Sequence, residues 1–214
     1  MTTESDTAAE PSTLESLAAQ VDLIALNAQA VRTSIDVVSH VTAADLAKST
    51  PCAGWTLHGL LAHMITQHYG FAAAARGEGD MSLWRPRPLG EDPVAQYRAA
   101  AEHVLASFAE DGVLGRTFPL PEFTRACEFP GTEAVSFHFI DYVVHSWDVA
   151  RTLGRTVHFD EALLAAALPI AEAVPGGKAR LAPGAAFAPA LTWPTDSTLD
   201  EILAILGRSP NWPE

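Results

Sequence analysis

The sequence predicts a mainly α protein, a four-helix bundle followed by a short C-terminal extension of irregular segments and small helices. Four long segments repeat apolar residues at three- and four-residue steps, and clusters of proline and glycine separate them. The last of the four, His138 to Gly154, is apolar nearly all the way round, which marks a central helix. With 214 residues and 48% hydrophobic content, the chain can bury one substantial core. The expected division is a flexible tail at 1–11, a bundle at 12–154 and an extension at 155–214 packed on it.

The first helix is announced by Ser12 and Glu15, a capping-box spacing, and continues through Leu17, Val21, Ile24, Ala28, Val31 and Ile35. After Val38 the period breaks, and a connector packs down through Leu46 and Trp55. Thr56 can cap a second helix that runs to Gly77 with an apolar stripe of Leu57, Leu60, Leu61, Met64 and Phe71. His68 falls inside that stripe, while His63 lies roughly 120° from its centre, so periodicity alone favours His68 as the buried imidazole.

The loop EGDMSLWRPRPLG holds two prolines and is a candidate cover for a pocket, with Trp84 as a surface anchor. Asp92 and Pro93 then mark the cap and first position of a third helix, ended at Gly112. Pro119 and Pro121 permit only a connector with short extended pieces before the fourth helix, for which Thr132 is a plausible cap. Beyond Gly154, TVHFD reads as a short strand, Asp160 as the cap of a helix bent at Pro169, and residues 196–207 as a last short helix.

A formal charge of −13, with only 13 Lys and Arg spread thinly, argues against nucleic-acid binding. No apolar run is long enough for a membrane span and no targeting segment is recognisable, so a soluble, cytoplasmic protein is expected. Cys52 and Cys127 are far apart and form neither a CxxC pair nor a disulfide framework.

On the fourth helix His138, Asp141, His145, Asp148 and Thr152 share a stripe roughly 80° wide. Two readings compete. Either the stripe is the solvated edge of a core helix, or it faces inward and its carboxylates and imidazoles bind something. A solvated face should be wider and carry Lys, Glu or Arg, and this one carries Asp and His.

Three stretches, TPCAGWTLHGLLAHM, FIDYVVHSWDVARTLG and LDEILAILGRSPNW, together resemble the DinB-like metal-binding family related to the N-terminal domain of mycothiol-dependent maleylpyruvate isomerase. The resemblance covers most of the chain. It implies a divalent metal inside the bundle, held by His63 of the second helix and by Asp141 and His145 of the fourth, and so overrules the preference for His68. The isomerase has glutamate where this chain has Asp141, which places the ion nearer the fourth helix or weakens its hold.

Two imidazoles and one carboxylate leave coordination positions open, as in a catalytic ion, zinc first and then iron or nickel. A low-molecular-weight thiol, mycothiol or a similar one, would bind there as thiolate and attack a small electrophile, giving S-transfer or isomerisation. His138, one turn before Asp141, is the candidate proton carrier. Two other classes stand beside this one: a binding protein that keeps the metal or pocket without turnover, and a metal-dependent hydrolase drawing its base from His138 or Asp148. Cys52 and the rings of Trp55 and Trp147 read as packing residues.

Overall fold

A computed structural model of the protein describes residues 21–182 and 185–214. Four helices form the bundle: α1 (Leu23–Val38), α2 (Leu57–Ala74), α3 (Pro93–Phe108) and α4 (Gly131–Thr152). A two-residue ribbon, β1 (Thr117–Phe118) antiparallel to β2 (Phe129–Pro130), precedes α4, and α5 (Glu161–Ala173) and α6 (Thr198–Ile205) follow it. Helix α4 packs most extensively on α1, α2 on α3, α1 also on α3, and α2 on α4, which closes the ring of four. Helix α5 lies on α4, and α6 on α5. Among the described residues no helix is long and apolar enough to cross a membrane.

The caps follow local chemistry. Thr56 and Asp92 accept from the backbone N–H three residues on, at 3.4 Å from Gly59 and 2.9 Å from Ala95, as their side chains predict. The Ser12 capping box and the tail at 1–11 lie outside the described residues. Within them α1 does not run through from an earlier turn, because Asp22 is non-helical and caps it by accepting from Ala25 N at 2.9 Å.

Helix α4 begins at Gly131, ahead of the cap predicted at Thr132. The ribbon delivers the chain through Pro130, and Gly131 donates to Arg116 O at 2.8 Å. A Cβ at residue 131 would stand 2.6 Å from Val113 O, so only glycine fits this start. Gly154, at φ +68, ends the helix as the sequence predicts.

Three expectations fail. TVHFD forms no strand. Asp160 precedes α5 without a side-chain cap bond, because its carboxylate accepts from Gln29 of α1 instead. Trp84 is no surface anchor: it is 2% exposed and lies over Gly70 of α2, whose missing Cβ leaves room for the indole.

A polar chain crosses the apolar core and draws on every helix of the bundle. His138 Nδ1 meets Asn27 Oδ1 at 2.7 Å, His138 Nε2 meets His68 Nδ1 at 3.2 Å, and His68 Nε2 approaches the Tyr97 hydroxyl at 3.4 Å. Tyr97 in turn donates to Ser34 Oγ at 2.6 Å. All five residues are fully buried. Burial holds both imidazoles neutral, His138 down to about 3 despite the nearby Asp141 carboxylate and His68 well below the usual histidine range.

Gly70→Ala drives a methyl into the Trp84 ring, 2.6 Å away, and is expected to destabilise by about 1–3 kcal/mol. Gly115→Ala meets nothing within 4 Å and should be neutral or stabilise by up to about 1 kcal/mol. Urea denaturation of the two variants against the parent checks the contrast.

Candidate metal centre

Helix α2 presents His63, about two turns inside its Thr56 cap, toward the inward stripe of α4. The stripe is no solvated edge: His138, His145, Asp148 and Thr152 are buried and only Asp141 keeps partial exposure. One donor atom each from His63, Asp141 and His145 lies within 4.8 Å of the other two. Asp141 Oδ1 and His145 Nε2 are 3.2 Å apart, and the His63 and His145 rings meet edge to face with centroids at 5.4 Å.

The other side of the His145 ring is fixed by a second carboxylate. Asp148 Oδ2 takes Nδ1–H at 2.9 Å, and the same carboxylate is held by Arg208, Nε to Oδ1 at 3.1 Å and Nη2 to Oδ2 at 3.2 Å. Arg208 comes from beyond α6, directly after Gly207. There φ is +75 and a Cβ would stand 2.6 Å from Ala188 O, so the tight turn that delivers the guanidinium needs glycine. With Nδ1–H committed to Asp148, Nε2 is the nitrogen left to face Asp141 and His63, the arrangement that orients a ligating histidine and raises its basicity.

The charges are interlocked. Burial disfavours the charged form of His145, yet Asp141 and Asp148 outweigh it and carry its pKa up to about 10. Burial likewise opposes the Asp141 carboxylate, and chiefly His145 holds it down to about 2. His63, desolvated and facing a cationic His145, falls to about 4 and stays neutral. Two carboxylates, the His145 imidazolium and the Arg208 guanidinium therefore cancel.

These residues fit a divalent ion. Donors bonded at 2.0–2.2 Å to one tetrahedral ion lie roughly 3.4 Å from each other, close to the 3.2 Å of the Asp141–His145 pair, and the His63 donor lies within 4.8 Å of both.

The remaining candidates fall elsewhere. His138 is one turn from Asp141 but sealed in the core, with both ring nitrogens bonded to Asn27 and His68. Asp148, a candidate base in the hydrolytic reading, is wholly engaged by His145 and Arg208. Trp55 is not a core residue: it is 37% exposed and lies edge-on to His63, ring centroids 4.7 Å apart, because the loop bridged at Ser49 and Thr56 carries it to the rim. The Cys52 thiol is pushed up by burial, against the fields of Arg208 and His145, and Cys127 is likewise unpaired. Sequence reasoning missed Arg208, Gln67 and Glu122. Arg208 stands in LGRSPNW, but nothing in its spacing shows a partner 60 residues away.

The family model for the mycothiol maleylpyruvate isomerase N-terminal domain matches residues 28–150. Two uncharacterized proteins of Mycobacterium tuberculosis, from strains CDC 1551 and H37Rv, are 29% identical over 180 residues, covering 81% of this chain and 90% of theirs. The crystal structure of the mycothiol-dependent maleylpyruvate isomerase shares the fold with TM-score 0.50 at 17% identity, over 76% of this chain and 71% of that one. Its histidine-to-alanine mutant gives TM-score 0.51 at 15% identity over the same shares.

Asp148→Asn leaves Arg208 buried without its counter-charge and is expected to cost about 3–5 kcal/mol. Arg208→Gln added to that variant should cost far less than Arg208→Gln alone, so the pair is strongly non-additive. A double-mutant cycle by urea denaturation measures the coupling, and additive costs would contradict the assigned pairing.

Proposed function

The chain belongs to the mycothiol maleylpyruvate isomerase N-terminal domain family, and on that premise we propose that it is a metal-dependent enzyme working with mycothiol or a similar low-molecular-weight thiol. The thiol acts on a small electrophile, by S-transfer or by isomerisation. His63, Asp141 and His145 hold the ion, zinc first and iron or nickel behind it. The observation that carries the reading is the Asp148 bond to His145 Nδ1, which leaves Nε2 turned to a point shared with Asp141 and His63.

A bound divalent ion supplies a Lewis-acid position at which a thiol is held deprotonated, and so a nucleophile at neutral pH. The protein's own charges favour such an anion. When a divalent cation takes the place of the His145 proton, the otherwise balanced cluster gains one positive charge, which a thiolate offsets. Asp148 and Arg208 hold the imidazole rigidly in its tautomer, and Trp55 shields the outer edge of His63. The sulfur would then bond to the electrophilic carbon, the displaced electron pair leaving with a leaving group or, on addition to a double bond, passing to the neighbouring carbon, which takes a proton from solvent. Transfer ends there, whereas isomerisation requires the adduct to rotate and expel the thiol.

Hydrolysis is less well supported, because a water nucleophile needs a neighbouring base and both bases foreseen for it are committed, Asp148 to Arg208 and His138 to the core chain. With neither nitrogen of His138 free, the reading assigns that residue to the internal network.

The purified protein should contain about one divalent ion per chain, lost in His63→Ala and His145→Ala. Incubation with mycothiol and an activated electrophile should give a thioether detectable by mass spectrometry. A protein that takes up no zinc sinks the proposal, and conjugate formation at the same rate after metal removal sinks the thiolate role. Tight retention of the thiol with no conjugate would assign the chain to the binding class instead.

A further inference from the structure

We propose that the electrophile this centre accepts is aromatic and carries no negative charge, selected by Glu122 and by the exposed rings of Trp55 and Phe123; the inference rests on the thiol-dependent reading above. The loop between β1 and β2 carries Glu122 and Phe123 side by side, and each is fastened one helical turn from a ligand of the centre. Glu122 Oε2 accepts from Gln67 Nε2 at 2.7 Å, and Gln67 lies four residues after His63 on α2. The Phe123 ring stacks on Phe137, four residues before Asp141 on α4, with centroids 5.5 Å apart and planes at 18°. Trp55 touches His63 directly from the loop before α2. Trp55 and Phe123 keep 37% and 49% of their surface exposed. Planar apolar surface left open beside a reactive centre suits an aromatic ligand.

Charge decides the rest. The Glu122 carboxyl is tethered to Gln67, one turn from His63, and partial burial pushes its pKa up against that bond, with the Asp141 carboxylate adding to the rise. Arg208, the cation bonded into the cluster, is 3% exposed and given to Asp148. With a thiolate on the ion, the inner charges would cancel, leaving Glu122 as the carboxylate tethered one turn from His63. A substrate carboxylate would meet the Glu122 carboxylate while the cluster's own guanidinium is committed to Asp148, in a chain whose net charge is already −13. Maleylpyruvate, on which the structural neighbour acts, is by contrast an acid with two carboxylates.

The test compares para-chloro-dinitrobenzamide with the matching benzoate, nearly equal in shape and different by one charge, on the zinc-loaded protein with mycothiol. In each reaction sulfur bonds to the ring carbon, chloride leaves with its electron pair and the thiol proton goes to solvent. After division by the uncatalysed rates, kcat/KM should favour the amide by about tenfold, Glu122→Gln should reduce that preference to about twofold, and Glu122→Lys should reverse it. Glutamine keeps an acceptor for Gln67, so a general loss of structure is not the cause. Dissociation constants of the two thioether products should follow the same order without any turnover, and Phe123→Ala should raise KM for the amide while kcat holds. A wild-type preference for the benzoate, or an amide preference indifferent to residue 122, overturns the inference alone. No conjugate and no thioether binding in the wild type overturns the functional reading and this inference with it.

Discussion

The buried carboxylate of Asp148 is the constraint on which the centre depends. An ionised carboxylate removed from water is tolerated only when its oxygens are paired, and here one side takes an imidazole N–H and the other a guanidinium. The pairing fixes the orientation of the His145 ring by committing its Nδ1–H and at the same time ties α4 to a segment 60 residues further along the chain. The turn at Gly207 and the packing of α6 on α5 are therefore part of the centre, because they set where Arg208 stands. The C-terminal segment thus orients the His145 ring through Asp148.

The bundle keeps its two groups of polar residues apart by charge. The chain through Asn27, His138, His68 and Tyr97 is neutral, as full burial requires, and it links all four helices with directional bonds that an apolar core could not supply. The cluster at His63, Asp141 and His145 is ionic and sits where part of Asp141 still reaches solvent. Both groups draw on the same stripe of α4. The sequence shows that stripe as one feature, and depth in the fold divides it.

Much of the architecture was legible from periodicity and end chemistry. Thr56, Asp92 and Ser197 begin helices because their side chains take the backbone N–H groups that the first turn leaves free, and Gly154 and Gly207 end them because each needs a positive φ. The histidines of α2 show the limit of such reading. Periodicity places His68 in the core, correctly, and says nothing of His63, which sits off the apolar stripe because it faces a centre instead of the packed interior. Asp160 looked like a cap and Trp84 like a surface residue for a related reason: Gln29 and Gly70, which decide their fates, are distant in sequence. Local chemistry is readable one turn at a time, whereas a partner across the fold leaves no mark in spacing.

The position of His63, Asp141 and His145 follows from how the ring of helices closes. Of the four adjacent pairs, α1 and α4 are the most closely packed and α2 and α4 the least, and the three side chains span this last seam. A loosely packed seam is where a bundle has room for a cofactor and an incoming molecule. Tyr142 already bridges the seam by donating to Met64 O at 2.5 Å, deep in the core. An ion gripped by His63 on one side and by Asp141 and His145 on the other would bridge it again nearer the surface.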